Sequence, residues 1–191
     1  MLRDQPSTVL PEPAGFALPQ IWLFTDKRND RDLDRTILRL PRGSGIIFRH
    51  YHLDEQSRRQ RFESVRKTAR RRGHMVFLAG SPALARRWRA DGVHGRHSRR
   101  ALNRGLLHSA PVHNAQEIHQ ANRAGAAIYF LSPVFATRSH PGQRPLNPAQ
   151  VRRLAALCNG VVIFLGGMNQ RRYRARKNSS SHGSAAIDAL S

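Results

Sequence analysis

Short apolar segments alternate with polar or amphipathic segments along most of the chain. Eight apolar segments lie at residues 20–25, 45–49, 75–80, 91–95, 106–112, 126–132, 161–167 and 183–190. Continuous stretches of Val, Ile, Leu and Phe are typical of strands buried on both faces of a parallel sheet. The segments between them have the spacing or the start signals of helices. The pattern therefore predicts eight β-strands separated by seven helical segments.

Several of the predicted helices carry recognisable start signals and buried faces. Ser81 precedes Pro82, and Asn147 precedes Pro148, so each helix has a capping side chain followed by a proline at its first position. The apolar residues expected to share one face of the first helix are Leu33, Ile37 and Leu38. These signals make the helical interpretation of the polar segments more specific.

Eight strand–helix units close into a barrel more naturally than they extend as an open sheet. A Rossmann or flavodoxin-like sheet is the alternative, but "TDKRND" stands where the Rossmann fold carries a GxGxxG turn after its first strand. We therefore predict an α/β protein, a single-domain TIM (β/α)8 barrel over residues 19–191, preceded by a flexible leader at 1–18. Because the sequence ends soon after the eighth predicted strand, the last helix of the barrel is expected to be missing.

Composition narrows the class of protein further. The 191 residues, 39% of them hydrophobic, suit one globular domain. Cys158 is the single cysteine, which excludes an internal disulfide and a cysteine-based zinc ribbon. No apolar segment is long enough to span a bilayer, and the N-terminus lacks the apolar core of a signal peptide. We expect a cytoplasmic protein that does not bind membranes, and the oligomeric state stays open.

The charge balance indicates an anionic partner. Lys and Arg number 33 against 12 Asp and Glu, a formal net charge of +21. Such an excess attracts nucleic acid, acidic surfaces or phosphorylated small molecules, without distinguishing among them. The most basic stretch, residues 58–72, places Phe62, Val65 and Ala69 at helical spacing, which predicts an amphipathic helix with a basic outer face. That face is a candidate for nucleic-acid binding, or simply a solvated helix surface.

Two segments after predicted strands carry candidate phosphate-binding groups. In a (β/α)8 barrel the loops that follow the strands form the active site. Gly166 and Gly167 follow the seventh strand, where the absence of side chains lets backbone N–H groups approach an anion. The loop after the sixth strand supplies Thr137, Ser139 and His140 as further hydroxyl and cationic groups.

The chain resembles the thiamine-phosphate synthase and thiazole tautomerase (TenI) family of barrels. The matching stretches include "IWLFTD", "IIFR", "ADGVHG", the long segment 112–142 with "SPVFAT", and "IFLGGMN". The resemblance implies that the nitrogen of a thiazole phosphate displaces pyrophosphate from an aminopyrimidine pyrophosphate. It assigns catalysis to Arg49 and His140, which occupy the family's pyrophosphate-contacting positions, and places Thr137 and Gly167 at the thiazole phosphate.

Departures from the family pattern concern the metal. The family uses Mg²⁺ held by two aspartates, one ending the third strand and one shortly after the fourth. Ala79 and Gly80 occupy the first position, and "GRHSRR" occupies the second. Pro133 stands where the tautomerase branch carries a histidine. The family resemblance implies Mg²⁺, but the aspartates that would bind it are not present in this sequence. The cofactor therefore stays unknown.

Three functions remain open. The first is a transferase of the thiamine-phosphate synthase type, in which fixed cations take over charge neutralisation from the metal. The second is a catalytically degenerate barrel that binds phosphorylated thiamine precursors without turnover. The third is a basic protein associated with nucleic acid.

Overall fold

The computed structural model describes residues 18–102, 105–135, 144–167 and 183–186. The strands are β1 (Ile21–Phe24), β2 (Gly45–Phe48), β3 (Met75–Ala79), β4 (Gly92–His94), β5 (Leu107–Val112), β6 (Ile128–Leu131), β7 (Val161–Phe164) and β8 (Gly183–Ala186). The helices are α1 (Leu33–Arg39), α2 (Glu55–Arg70), α3 (Pro82–Arg87), α4 (Arg99–Leu102), α5 (Ala115–Ala124) and α6 (Pro148–Ala156), with a 3₁₀ turn at Lys27–Asn29.

The strands form a closed parallel barrel in chain order. Each strand pairs in parallel with the next, and β1 closes on β8 with Trp22 opposite Ala185. The predicted (β/α)8 barrel is therefore confirmed, and every predicted strand falls within its apolar segment. The helix predicted between β7 and β8, residues 1–17 of the predicted leader at 1–18, and the segment after β8 lie outside the described residues.

Aromatic rings fill the interior of the barrel. Trp22 lies edge-on to Phe77 and to Phe130, with ring centroids 5.1 and 5.4 Å apart. All three side chains are fully buried. Glycine makes room for the indole, because a Cβ on Gly45 would come within 2.2 Å of the Trp22 ring. This interior is a packed core, as expected for a barrel of eight strands.

The helices cover the outside of the barrel as their periodicity predicts. Phe62, Val65 and Ala69 of α2 are fully buried against β2 and β3, which confirms the predicted apolar face. Leu33 is fully buried in α1. Leu38 was predicted to share that face, but it is 45% exposed, because only positions spaced by three or four from Leu33 face the barrel. Among the residues described, no helix combines the length and apolar character needed to cross a membrane.

The two predicted start signals are confirmed. The Ser81 hydroxyl accepts a hydrogen bond from the N–H of Leu84 at 3.1 Å, with Pro82 at the first helical position. The Asn147 side chain accepts from the N–H of Gln150, whose own side chain accepts from the N–H of Asn147. These caps begin the helices directly after the loops at the carboxyl ends of β3 and β6, and so fix where those loops end.

Candidate functional site at the carboxyl rim

All eight strands run in the same direction, so their carboxyl ends share one rim. Arg49 follows β2 and the pair Gly166–Gly167 follows β7, which places these predicted site residues on the same end of the barrel. The loop that follows β6 also begins there, with Ser132 to Phe135 described. The remaining predicted site residues, Thr137, Ser139 and His140, lie outside the described residues.

Arg49 is held at the rim by contacts from β1. Its Nη2 donates to Asp26 Oδ2 at 2.9 Å, and its Nε donates to the carbonyl of Thr25 at 2.9 Å. The guanidinium carbon lies 5.5 Å from the centroid of the Phe24 ring, within the range of a cation–π contact. The side chain remains 24% exposed. Arg49 therefore combines a fixed position with access to the mouth of the barrel.

Asp26 is the charge partner of this arginine. Partial burial acts to raise the pKa of Asp26, but hydrogen bonds from Arg28, the positive charge of Arg28 and that of Arg49 outweigh it. Together they hold the pKa of this carboxyl below its ordinary value of 3.8. At neutral pH the carboxylate is charged, and part of the positive charge of Arg49 is balanced inside the protein.

A buried polar chain supports Arg49 from below. The Thr25 hydroxyl lies 2.8 Å from His50 Nδ1 and accepts the backbone N–H of Arg49 at 3.1 Å. The other ring nitrogen, His50 Nε2, lies 2.8 Å from Asp30 Oδ1. Burial lowers the pKa of His50 more than Asp30 raises it, so the ring is neutral at pH 7. The nearby Asp30 carboxylate favours the proton on Nε2, although that N–H does not point along a hydrogen bond, and Nδ1 then accepts from Thr25.

Arg58 of α2 holds the ends of β2 and β3 together. Its Nε donates to the carbonyl of Arg49 at 2.8 Å, and its Nη2 donates to the carbonyl of Ala79 at 2.6 Å. Its guanidinium lies 5.2 Å from the Tyr51 ring centroid and 5.6 Å from that of Trp88. A cation therefore lies beside the carboxyl end of β3, where the family resemblance led us to expect a metal-binding aspartate. Sequence reasoning placed this arginine on an outer basic face and missed its role.

The glycine turn after β7 is joined to the start of the β6 loop by main-chain hydrogen bonds. The N–H of Val134 donates to the carbonyl of Leu165 at 3.0 Å, and the N–H of Phe135 donates to that of Gly166 at 3.2 Å. Gly166 has φ +95° and Gly167 has φ +57°, the left-handed region that glycine adopts without strain. A Cβ on Gly166 would lie 3.1 Å from Pro133 Cα. This part of the rim is therefore formed by closely packed backbone.

His94 lies inside the barrel below the rim. Its Nδ1 lies 3.0 Å from the Ser109 hydroxyl, and its ring meets Phe24 and Phe130 edge-on at 5.3 Å. Burial, with a smaller contribution from the positive charge of Arg49, lowers the pKa of His94 to about 3. The imidazole is therefore a neutral hydrogen-bonding group beneath Arg49.

The carboxylates near the rim do not fit a magnesium site. Mg²⁺ requires oxygen ligands that are free to coordinate it. Asp26 is occupied by two arginines, and Asp30 is bound by Arg61 and His50. Within the described part of the chain, no group of three or more His, Cys, Asp or Glu side chains is arranged to hold a metal ion.

The basic helix α2 uses much of its charge internally. Arg61 binds Asp30 and Asp34 at 2.7 and 2.6 Å, and Arg66 and Arg72 donate to backbone carbonyls. Arg59 pairs with Glu63 on the surface. The cations of this stretch that are exposed and make no such contact with a described residue are Lys67, Arg70 and Arg71. Nucleic-acid binding by this face stays a prediction, with fewer available cations than the sequence suggested.

The fold and the rim together define a class: a closed (β/α)8 barrel whose carboxyl end carries fixed arginines on one side and a glycine turn on the other. The family model described as thiamine monophosphate synthase matches residues 21–190. The chain belongs to this family, and membership places it among proteins of thiamine biosynthesis.

A curated relative agrees with this membership, and solved structures share the fold. The thiamine-phosphate synthase of Chloroflexus aurantiacus is 26% identical over 183 residues, which cover 90% of this chain and 84% of the relative. The structure of thiamine phosphate pyrophosphorylase from Pyrococcus furiosus superimposes with a TM-score of 0.72 at 19% identity, covering 89% of this chain and 85% of that one. An aldolase of Zymomonas mobilis shares the fold at a TM-score of 0.62 and 10% identity, covering 88% and 81%.

Proposed function

We propose that this protein is a transferase of the thiamine-phosphate synthase type that works in the cytoplasm. The thiazole nitrogen supplies its electron pair to the methylene carbon of the aminopyrimidine, forming a C–N bond. The bond between that carbon and the pyrophosphate oxygen breaks, and its electrons leave with pyrophosphate. The observation that carries the proposal is the position of Arg49 and of Gly166–Gly167 on one rim of a barrel of this family.

Arg49 and His140 are proposed to bind and stabilise the leaving pyrophosphate. Arg49 suits this role because its guanidinium is fixed by Asp26 and Thr25 while its side chain stays partly exposed. A preorganised cation at the developing negative charge lowers the barrier without reorganising during the reaction. His140, one loop away, is proposed to supply a second donor from the segment that follows β6.

The thiazole phosphate is proposed to bind at the glycine turn. Gly166 and Gly167 have left-handed backbone that leaves the exit of β7 without side chains. Thr137 and Ser139 are proposed to add hydroxyl donors from the neighbouring loop, whose start is hydrogen-bonded to this turn. Main-chain N–H groups and hydroxyls together form the type of phosphate site common in such barrels.

A second candidate function is binding of the phosphorylated precursors without turnover. The observation that favours it is the engagement of the rim carboxylates by arginines, which leaves the described residues without a magnesium site. Pyrophosphate carries several negative charges, and Arg49 shares its own charge with Asp26. A site with insufficient neutralising charge would still bind a thiazole phosphate but would not expel pyrophosphate.

One set of measurements separates the two candidates. Purified protein is incubated with both heterocyclic phosphates, with and without divalent metals, and thiamine phosphate is quantified while calorimetry measures binding of the thiazole phosphate. Turnover that falls at least tenfold in Arg49→Gln supports the transferase. Binding without turnover, lost in Gly167→Asp but retained in the distant Gly43→Ala, supports the binder. Neither turnover nor binding would refute both.

A further inference from the structure

A basic pocket lies on the flank of the barrel, over the outer face of β5. It has a volume of about 370 Å³ and lies between the segment after β4, the outer face of β5 and helix α5. The polar side chains that line it include Arg96, His97, Arg99, His108, Glu117 and Arg123. We call this the flank pocket.

The flank pocket is separate from the barrel interior. Side chains alternate between the two faces of a strand. Ser109 of β5 points inward to His94, whereas Ala110 packs outward with Ile118 of α5. His108 therefore faces outward, on the same side as Ala110. Helix α4 is a single turn, and the pocket lies beside it over this face of β5.

Two arginines in the flank pocket have no partner among the described residues. Arg96 Nη2 donates to Glu117 Oε1 at 2.7 Å, and the other oxygen of Glu117 accepts from Nδ1 and the backbone N–H of His113. The carboxylate is therefore occupied. Arg99 and Arg123 make no hydrogen bond or ion pair within the described part of the chain. The pocket has an excess of positive charge, and two of its guanidinium groups are available to a ligand.

A buried histidine adds a polar group that no described protein atom satisfies. His108 is 2% exposed, and its Nε2 lies 2.9 Å from the carbonyl of Gly95. Because a carbonyl only accepts, Nε2 carries the proton, and burial lowers the pKa of His108 so that Nδ1 keeps its lone pair. Among the described residues, Nδ1 is buried without a partner, and so is Nε2 of His97, whose ring centroid lies 5.4 Å away. Buried polar atoms of this kind are rare unless something else binds them.

We propose that the flank pocket binds a small phosphorylated molecule that also carries a hydroxyl or amino group. Arg99 and Arg123 hold the phosphate through charged hydrogen bonds, as paired guanidinium groups do elsewhere. His108 Nδ1 accepts the hydroxyl or N–H of the same ligand, and His97 Nε2 supplies a further polar contact. The volume is in the range of small-molecule sites. This site is distinct from the proposed rim site, so the inference extends beyond the proposed function.

Calorimetry with two probes tests the flank pocket in protein whose rim site has been blocked by Gly167→Asp. The probes are inorganic phosphate and glycerol 3-phosphate, and both are expected to bind saturably at one site. The double variant Arg99→Gln and Arg123→Gln is expected to weaken the binding of both probes at least tenfold. The matched pair Arg152→Gln and Arg153→Gln, two exposed arginines of α6, is expected to change affinity less than twofold.

His108→Gln tests the second contact. The substitution is expected to weaken the binding of glycerol 3-phosphate several-fold more than that of inorganic phosphate. Only glycerol 3-phosphate has carbon-bound hydroxyls that can donate a hydrogen bond to His108 Nδ1. Three outcomes would overturn the proposal: no saturable binding of either probe, equal weakening by the two arginine pairs, or binding that disappears with Gly167→Asp alone. Because turnover is measured separately at the rim, failure of the proposed function leaves this result unaffected.

Discussion

The β1–β3 side of the rim and the β6–β7 side are built by different means. On the first, polar side chains make the contacts: Arg49 binds Asp26, Arg58 donates to the carbonyls of Arg49 and Ala79, and the neutral His50 lies between Thr25 and Asp30. On the second, backbone packs against backbone, with Gly166 close to Pro133. A substitution on the first side therefore removes contacts, whereas one on the second introduces atoms where there is no space.

The largest effect is expected from Arg58→Met. The change keeps the apolar length of the side chain but removes donors from two carbonyls and the cation near two aromatic rings. We expect a loss of about 2–3 kcal/mol in the free energy of unfolding, measured by urea denaturation. The neighbouring Arg59→Met removes only an exposed pair with Glu63 and should cost about 0.5 kcal/mol or less. Equal losses in the two variants would contradict the role given to Arg58.

Gly166→Ala tests the backbone side of the rim. An alanine there must adopt φ +95° and lies 3.1 Å from Pro133 Cα, so we expect a loss of about 2 kcal/mol, with weaker binding of the thiazole phosphate. Gly43→Ala is the control, because Gly43 also has a positive φ, +73°, but no described atom lies within 4 Å of the point that its Cβ would occupy. It should cost about 1 kcal/mol. A control as destabilised as Gly166→Ala would show that close packing at Pro133 contributes nothing.

Asp26→Asn tests the charge balance on the first side. The pKa of Asp26 is below 3.8 in the folded protein, so its contribution to stability is present above that value and is lost as the pH falls through the lower folded value. The wild-type protein should therefore exceed the variant by on the order of 1 kcal/mol at pH 7. In urea denaturation at successive pH values the difference should shrink below about pH 4. A difference that stays constant down to about pH 2.5 would rule out this ion pair as its source.

At neutral pH the smallest effect on stability concerns His94. Since its folded pKa is about 3, NMR signals of this ring should not shift between about pH 8 and pH 5. The unfolded chain binds the proton near pH 6.5, so this residue removes stability as the pH falls from about 6.5 towards 3. His94→Gln should make the stability less dependent on pH in that interval. A titration of the His94 ring near pH 6.5 would contradict its burial beneath Arg49.

Local sequence patterns predicted the barrel well because strands and helices depend on short-range periodicity. The segment 126–132 contains β6, and Asn147–Pro148 begins α6 as predicted. The segment 161–167 was also identified, but the strand ends at Phe164 and its last residues form the glycine turn. Such boundaries depend on the tertiary packing of the loop rather than on hydrophobicity.

The contacts within the site could not be predicted in the same way. Arg61 reaches Asp30 across 31 positions of sequence, and Arg58 reaches Ala79 across 21. The basic pattern of residues 58–72 indicated charge but not which arginines turn inward. The sequence did not predict the flank pocket either, because Arg99, His108 and Arg123 come from three separate elements. Only the closed barrel brings these residues together.

The packed interior of the barrel determines how substrates reach the proposed site and how products leave it. Trp22, Phe77 and Phe130 are fully buried and fill the barrel beneath the rim. Molecules can therefore enter and leave the proposed site only from the carboxyl end of the barrel. Both substrates would enter, and both products would leave, through that end of the barrel. A product that dissociates slowly will prevent the next substrate from binding. Slow release should therefore be observed as product inhibition.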